Sequence, residues 1–202
     1  MTAETPITTL IFDVDDTLYD VSTGFTDHRN GEAAQRFMME YLNFPDLESA
    51  KKIRDQYFEK YHATAKALTI AEQDGAFPPP DPTKPTKVPR FDPKDLADYW
   101  TSNLDFRLLG GKKIKLLQDL ESCGLKLVAF SNGPRRYVKR VLVELGLFNV
   151  FGDERLYAVD DVLPFCKPEK EAFEKIFADV GVRADECVMI EDSMKNINAP
   201  TN

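Results

Sequence analysis

The chain has 202 residues, 43% of them hydrophobic and 30% charged, and carries a formal net charge of -8. A chain of this length supports one domain, or one with a sizeable insertion, that buries roughly 70% of its unfolded surface. The acidity argues against a nucleic-acid polymer or an anionic membrane surface as partner; a small phosphorylated metabolite stays open, because local cations and helix amino termini outweigh a global charge inside a site.

The first residues, Met1-Thr2-Ala3-Glu4-Thr5-Pro6, lack a basic region and lead into a brief apolar run. Neither a signal peptide nor a transmembrane helix is expected, and the expected location is cytoplasmic, with the nucleus as the alternative. Cys123, Cys166 and Cys187 are too scattered for a disulfide framework or a zinc site and are expected as free thiols. Cys166, beside Lys167, is the one thiol whose pKa a neighbouring cation would lower.

Thr8-Thr9-Leu10-Ile11-Phe12 is β-branched and apolar without polar alternation, the pattern of a central parallel strand covered on both faces. Ligand crevices of open α/β sheets lie outside the carboxyl ends of the strands, and there the chain reads Asp13-Val14-Asp15-Asp16-Thr17. Asp13 and Asp15 are two residues apart, so on extended backbone they share a face and reach one hard cation through oxygen. A carboxylate also attacks phosphorus, which makes Asp13 the candidate nucleophile. Asp15 is the candidate acid/base, protonating a leaving alcohol and then deprotonating water, provided that its carboxylate neighbours and partial burial raise its pKa. Thr17 is placed to hold Asp15 through its hydroxyl. An acidic turn facing solvent is the competing reading of this fragment taken alone.

Apolar residues recurring near helical spacing predict helices over 31–43 and 47–68. Prolines from Phe77 to Pro93 then bar helix and interior strand, predicting an exposed, polyproline-like loop over about 75–93. Further helices are predicted over 96–100 and 111–123, the latter with Ile114, Leu117 and Leu120 facing inward. The pattern then alternates: strand 125–130, helix 137–145, strand 155–159, helix 169–180, strand 187–190. Such alternation means a parallel sheet with right-handed crossovers. The stretch from about 22 to 104 interrupts it after the first strand and is long enough for a helical, lid-like subdomain, leaving 1–21 and 105–202 as the core.

Each later strand, or the loop that follows it, carries a group suited to phosphoryl transfer. Ser131-Asn132-Gly133-Pro134 offers a hydroxyl, an amide and backbone donors that can cradle phosphate oxygens, or simply cap a helix. Lys167 can extend a cation toward phosphate and offset nearby carboxylates. Asp192, in Glu191-Asp192-Ser193, can complete an oxygen cage for Mg²⁺, or cap a helix.

In order along the chain, Asp13-Val14-Asp15-Asp16-Thr17, Ser131-Asn132, Lys167-Pro168 and Glu191-Asp192-Ser193 with Asn196 resemble the four motifs of the haloacid dehalogenase-like superfamily. The resemblance implies an α/β fold, a Rossmann-like three-layer α/β/α parallel sheet with an inserted all-helical cap, and Mg²⁺ as cofactor. It implies Asp13 as nucleophile, Asp15 as acid/base, Ser131 and Lys167 as phosphate and charge contacts, and Asp13, Asp15 and Asp192 as metal ligands, with Glu191 as a secondary ligand. Asp13-Val14-Asp15-Asp16-Thr17-Leu18-Tyr19 and Phe165-Cys166-Lys167-Pro168 look most like the pyrimidine 5′-nucleotidase group of fungi and plants. That similarity implies hydrolysis of nucleoside monophosphates such as UMP or CMP, with the cap contacting base and ribose. Phosphoglycolate, a sugar phosphate or a phosphomutase reaction are the alternatives; a dehalogenase does not need Asp15. After Asn196 family members continue through a helix and at least one more strand, whereas here Ile197-Asn198-Ala199-Pro200-Thr201-Asn202 ends the sequence. The resemblance therefore leads us to expect a shortened core with an apolar edge near Val188, and offers, as a reading of a different class, a catalytically weak phosphate- or partner-binding chain. Oligomeric state is left open.

Overall fold

In the computed structural model, which describes residues 5–79, 83, 90–110 and 114–197, the apolar runs form strands β1 (Thr9–Phe12), β2 (Lys126–Phe130), β3 (Leu156–Tyr157) and β4 (Cys187–Ile190). They pair in parallel in the order β3-β2-β1-β4, so β1 is central. Phe12 lies opposite Ala129 on one side and Ile190 on the other. This register brings the residues that follow, Asp13, Ser131 and Glu191, out at one carboxyl edge.

Between β1 and β2 the chain is helical: α1 (Phe25–His28), a π turn (Arg29–Ala33), α2 (Ala34–Tyr41), α3 (Leu47–Tyr61), α4 (Thr64–Gln73) and α5 (Pro93–Asn103). α6 (Ile114–Ser122) leads into β2; after β2 come α7 (Arg135–Glu144) and the short α8 (Phe148–Phe151), after β3 the short α9 (Val159–Val162) and α10 (Lys170–Val180), and after β4 α11 (Met194–Ile197). Caps explain several boundaries. Asp46 and Asp92 accept the backbone N–H of Ser49 and Lys94, and Pro93 takes the first turn of α5.

The pleat of the sheet sorts its side chains into two layers. Ile11, Val128 and Phe130 pack with Ala172 and Ile176 of α10, while Phe12, Leu127 and Ala129 pack with Tyr137, Val138 and Val141 of α7. The second cluster continues without a break into the helical insertion, through Trp100 of α5 to Phe37 of α2. Trp100 and Tyr137 meet edge to face at 5.5 Å. These layers give the expected three-layer α/β/α arrangement. β4 is an edge of the sheet among the described residues, and Val188 on it is 41% exposed. Among those residues no helix is long and apolar enough to cross a membrane.

Several expectations are corrected. The first helical run starts at Phe25, six residues before the predicted 31, because Gly31 sits inside a π turn rather than at a start. The predicted 47–68 helix is two helices: His62 adopts a left-handed conformation (φ 52°) and Ala63 is extended, which ends α3 and restarts the chain as α4. The predicted strand 155–159 pairs only over Leu156–Tyr157, and Val159 already begins α9. Residues 80–82 and 84–89 of the proline loop, 111–113 of the predicted helix 111–123, and 198–202 lie outside the described residues.

Phe37 is 1% exposed and contacts the rings of Tyr41, Phe91 and Tyr99. Phe37→Ala is expected to cost about 3–5 kcal/mol, as for large-to-small changes in packed cores, read as a lowered midpoint in urea unfolding.

Candidate active site

The strand ends assemble one centre. Asp13 leaves β1 with its N–H donating to Ile190 O (2.9 Å), and its carboxylate is buried. Lys167, with no exposed surface, donates from Nζ to Asp13 Oδ1 (2.5 Å) and Glu191 Oε2 (2.7 Å). Burial alone would strip the lysine of its charge, but Asp13 and Glu191 outweigh it and hold its pKa above the ordinary value. Burial pushes the Asp13 carboxyl up to about 7, with Glu191 and Asp15 adding to the effect and Lys167 opposing it. Asp192 is likewise pushed up to about 6, by burial and then by Glu191.

Two carboxylates share one ammonium here, and the surplus negative charge calls for a further cation. Oxygen atoms of Asp13, Glu191 and Asp192 all lie within 4.8 Å of one another. This all-oxygen set fits a hard cation such as Mg²⁺.

The loops around this centre are fixed to one another. Asn132 uses its side-chain amide as a bracket, donating from Nδ2 to Lys167 O and accepting from Lys167 N at Oδ1, both at 2.9 Å. Expected as a phosphate contact, Asn132 thus positions the lysine loop while still lining the cleft. Ser131 Oγ accepts from Gly133 N (2.9 Å) and donates to Asp15 Oδ2 (3.1 Å). Thr17 was expected to hold Asp15; its hydroxyl donates across the site to Asp192 Oδ1 at 3.4 Å.

Asp15 departs furthest from expectation. Its carboxylate stands outside the Asp13–Glu191–Asp192 triad, accepts from Tyr19 OH (2.8 Å) and Tyr137 OH (2.6 Å) at Oδ1 and from Ser131 at Oδ2, and forms an ion pair through Oδ2 with Arg29 Nη1 (2.7 Å). Burial would raise its pKa, but the Arg29 charge and the tyrosine hydrogen bonds outweigh burial and hold it below the ordinary value. The expected upward shift is therefore reversed. The sequence reading missed the roles of Arg29, Tyr19 and Tyr137: Phe25-Thr26-Asp27-His28-Arg29-Asn30 has no apolar stripe, Tyr19 entered only as the end of a motif, and Tyr137 only as the start of a helix. A π turn is a frequent marker of functional positions, and only the backbone reveals it.

Cys166 is buried, its thiol donating to Tyr61 O at 3.4 Å, and burial pushes its pKa up to about 12. The expected lowering by Lys167 is present but outweighed by burial. The three cysteines are free.

These groups open into one cleft of about 290 Å³, whose far wall comes from the helical insertion and includes Asn30, Phe58, His62, Thr64 and Trp100. The site is thus a buried carboxylate–lysine centre at the carboxyl edge of a parallel sheet, with a helical insertion after the first strand. The haloacid dehalogenase-like hydrolase family matches over residues 7–200, and the chain belongs to that family. No curated protein matches the chain in sequence. Solved structures similar to it include CbbY from Rhodobacter sphaeroides in complex with phosphate (TM-score 0.67, 17% identity, 96% of this chain and 81% of that one). A HAD phosphatase from Thermococcus onnurineus (TM-score 0.55, 19%, 94% and 79%) and a β-phosphoglucomutase from Clostridium difficile (0.57, 17%, 96% and 79%) are also similar. At these identities the likeness establishes the fold.

Proposed function

We propose that the chain is a Mg²⁺-dependent phosphomonoester hydrolase working through an aspartyl-phosphate on Asp13, with a pyrimidine nucleoside 5′-monophosphate as substrate and residues 22–104 as the substrate-covering cap. The observation that carries this reading is the buried Asp13–Lys167–Glu191 cluster with Asp192 beside it at the cleft. Asp13 attacks phosphorus and the P–O bond to the alcohol breaks; Asp15, which Arg29, Tyr19 and Tyr137 hold as the carboxylate, gives the alcohol its proton only after it has taken one up from solvent. Asp15 then takes a proton from water, which attacks the aspartyl-phosphate and frees Asp13. Ser131 and Lys167 offset charge on the phosphoryl oxygens. Asp13, Glu191 and Asp192, with Asp15 as the sequence implies, would hold Mg²⁺, which when bound supplies charge neutralisation at the phosphoryl group.

The nucleotide is supported by the cap wall. Phe58 offers an aromatic face, and Asn30 and Thr64, 3.4 Å apart and hydrogen-bonded, offer an amide and a hydroxyl suited to base and ribose.

Phosphate release should be measured across UMP, CMP, purine monophosphates, phosphoglycolate and sugar phosphates, with and without Mg²⁺. The expected result is Mg²⁺-dependent release that is fastest with UMP or CMP; equal activity in chelator would reject the metal, and preference for another ester would reject the nucleotide. Because Asp13 holds its proton up to about 7, the apparent Mg²⁺ affinity should tighten between pH 6 and 8.

A further inference from the structure

We propose that Arg29 is a phosphate-binding residue of this site, for which Asp15 and the phosphoryl group of the substrate compete. The proposal rests on the phosphatase reading above and adds a residue that none of the four sequence motifs contains. Arg29 is 7% exposed and lines the cleft from the π turn. Its guanidinium is held against the rings of Tyr137 (4.7 Å) and Trp100 (5.2 Å), and its Nε donates to Asn30 Oδ1 at 3.3 Å. The fork is thus a pre-oriented donor rather than a mobile surface cation.

Nη1 lies 2.7 Å from Asp15 Oδ2, yet none of its hydrogen bonds is aligned on an acceptor among the described residues. A buried donor in that condition points to a further acceptor at the site. Ser131, the expected phosphate contact, donates to that same Oδ2 at 3.1 Å. A phosphoryl oxygen placed where Oδ2 stands would meet both donors at once. Asp15 would keep its anchorage, because Tyr19 and Tyr137 hold the other oxygen.

Charge favours the exchange. The cleft is lined by Asp13, Asp16, Glu191 and Asp192; of the other cations in its lining, Lys167 is already engaged by two of these carboxylates and Lys195 is exposed to solvent. A buried, pre-oriented cation whose partner can turn away serves an incoming phosphate dianion better than an exposed lysine, and Arg29 supplies it in the planar, two-pronged geometry that matches phosphate. The exchange leaves Asp15 Oδ2 open toward the ester oxygen.

Calorimetric titration of inorganic phosphate with Mg²⁺ present tests this on four proteins: the unmodified chain, Arg29→Gln, Asp15→Asn and the double variant, each checked for folding by near-UV circular dichroism. Arg29→Gln is expected to weaken phosphate about 10- to 100-fold. Asp15→Asn should tighten phosphate when Arg29 is present and have clearly less effect in the Arg29→Gln background. Unchanged affinity in folded Arg29→Gln, or the same Asp15→Asn effect in both backgrounds, would overturn the proposal. Should Arg29→Gln not fold, Arg29→Lys takes its place in the cycle, and unchanged affinity without coupling to Asp15→Asn overturns it. Absence of phosphate binding to the unmodified chain would remove the phosphatase reading and this proposal together, whereas phosphate binding indifferent to Arg29 removes the proposal alone.

Discussion

Asp13→Asn is expected to lower phosphate release by at least about 10³-fold, the scale set by removal of a catalytic nucleophile, without unfolding the protein. Asn keeps the volume but does not attack phosphorus. Lys167 keeps Glu191 as a partner, so the buried pair left behind is neutral. The variant should also change the pH dependence of stability in metal-free buffer. The folded Asp13 carboxyl holds its proton to about 7 against an ordinary 3.8, so its contribution is full below about 4 and lost as pH rises through about 7. Thermal unfolding of Asp13→Asn should therefore lose that share of the decline between pH 4 and 7. Full activity in the variant would reject the aspartyl-phosphate mechanism.

Lys167→Met should damage both activity and stability. The ammonium is the partner of Asp13 and Glu191, whose side chains are themselves almost entirely buried. Removing one member of a buried ion cluster costs about 3–5 kcal/mol because the remaining charges are left uncompensated. The loss should shrink in acid, where the carboxylates take up protons. Deleting a cation aimed at the phosphoryl charge should in addition lower kcat by about 10²- to 10³-fold. Denaturant unfolding at pH 5 and 8 and steady-state kinetics on the folded fraction separate the two effects; undiminished kcat would mean that Lys167 only holds the carboxylates apart.

The elements that carry these predictions were legible in the sequence for a specific reason. Asp13, Ser131 and Glu191 each follow directly after an apolar run, and a parallel sheet delivers every such strand end to the same edge. Lys167 was placed by order along the chain, but its complete burial and its hold on both Asp13 and Glu191 required the fold. Asp15 was misread in its electrostatics: neighbouring carboxylates are visible in the sequence, whereas Arg29 and Tyr137 are 14 and 122 residues away. The π turn and the left-handed His62 likewise leave no periodic trace, since one extra residue per turn or a single reversed φ merely shifts a pattern. The distinction between Asn132 as phosphate ligand and as bracket depends on where its amide points, which residue type alone does not specify.

The unbroken apolar cluster from Phe12 through Tyr137 and Trp100 to Phe37 bears on how the cleft admits a substrate. A wide hinge-like swing of the helical insertion would pull these rings apart and wet them, at about 25 cal/mol for each Å² uncovered. Sliding of α5 along α7 would keep the Trp100 and Tyr137 rings in contact and shift the far wall instead. Shear, with small displacements distributed over packed side chains, is the less costly mode of access for this arrangement. The aromatic seam is then both the foundation of the fold and the surface along which such sliding would run.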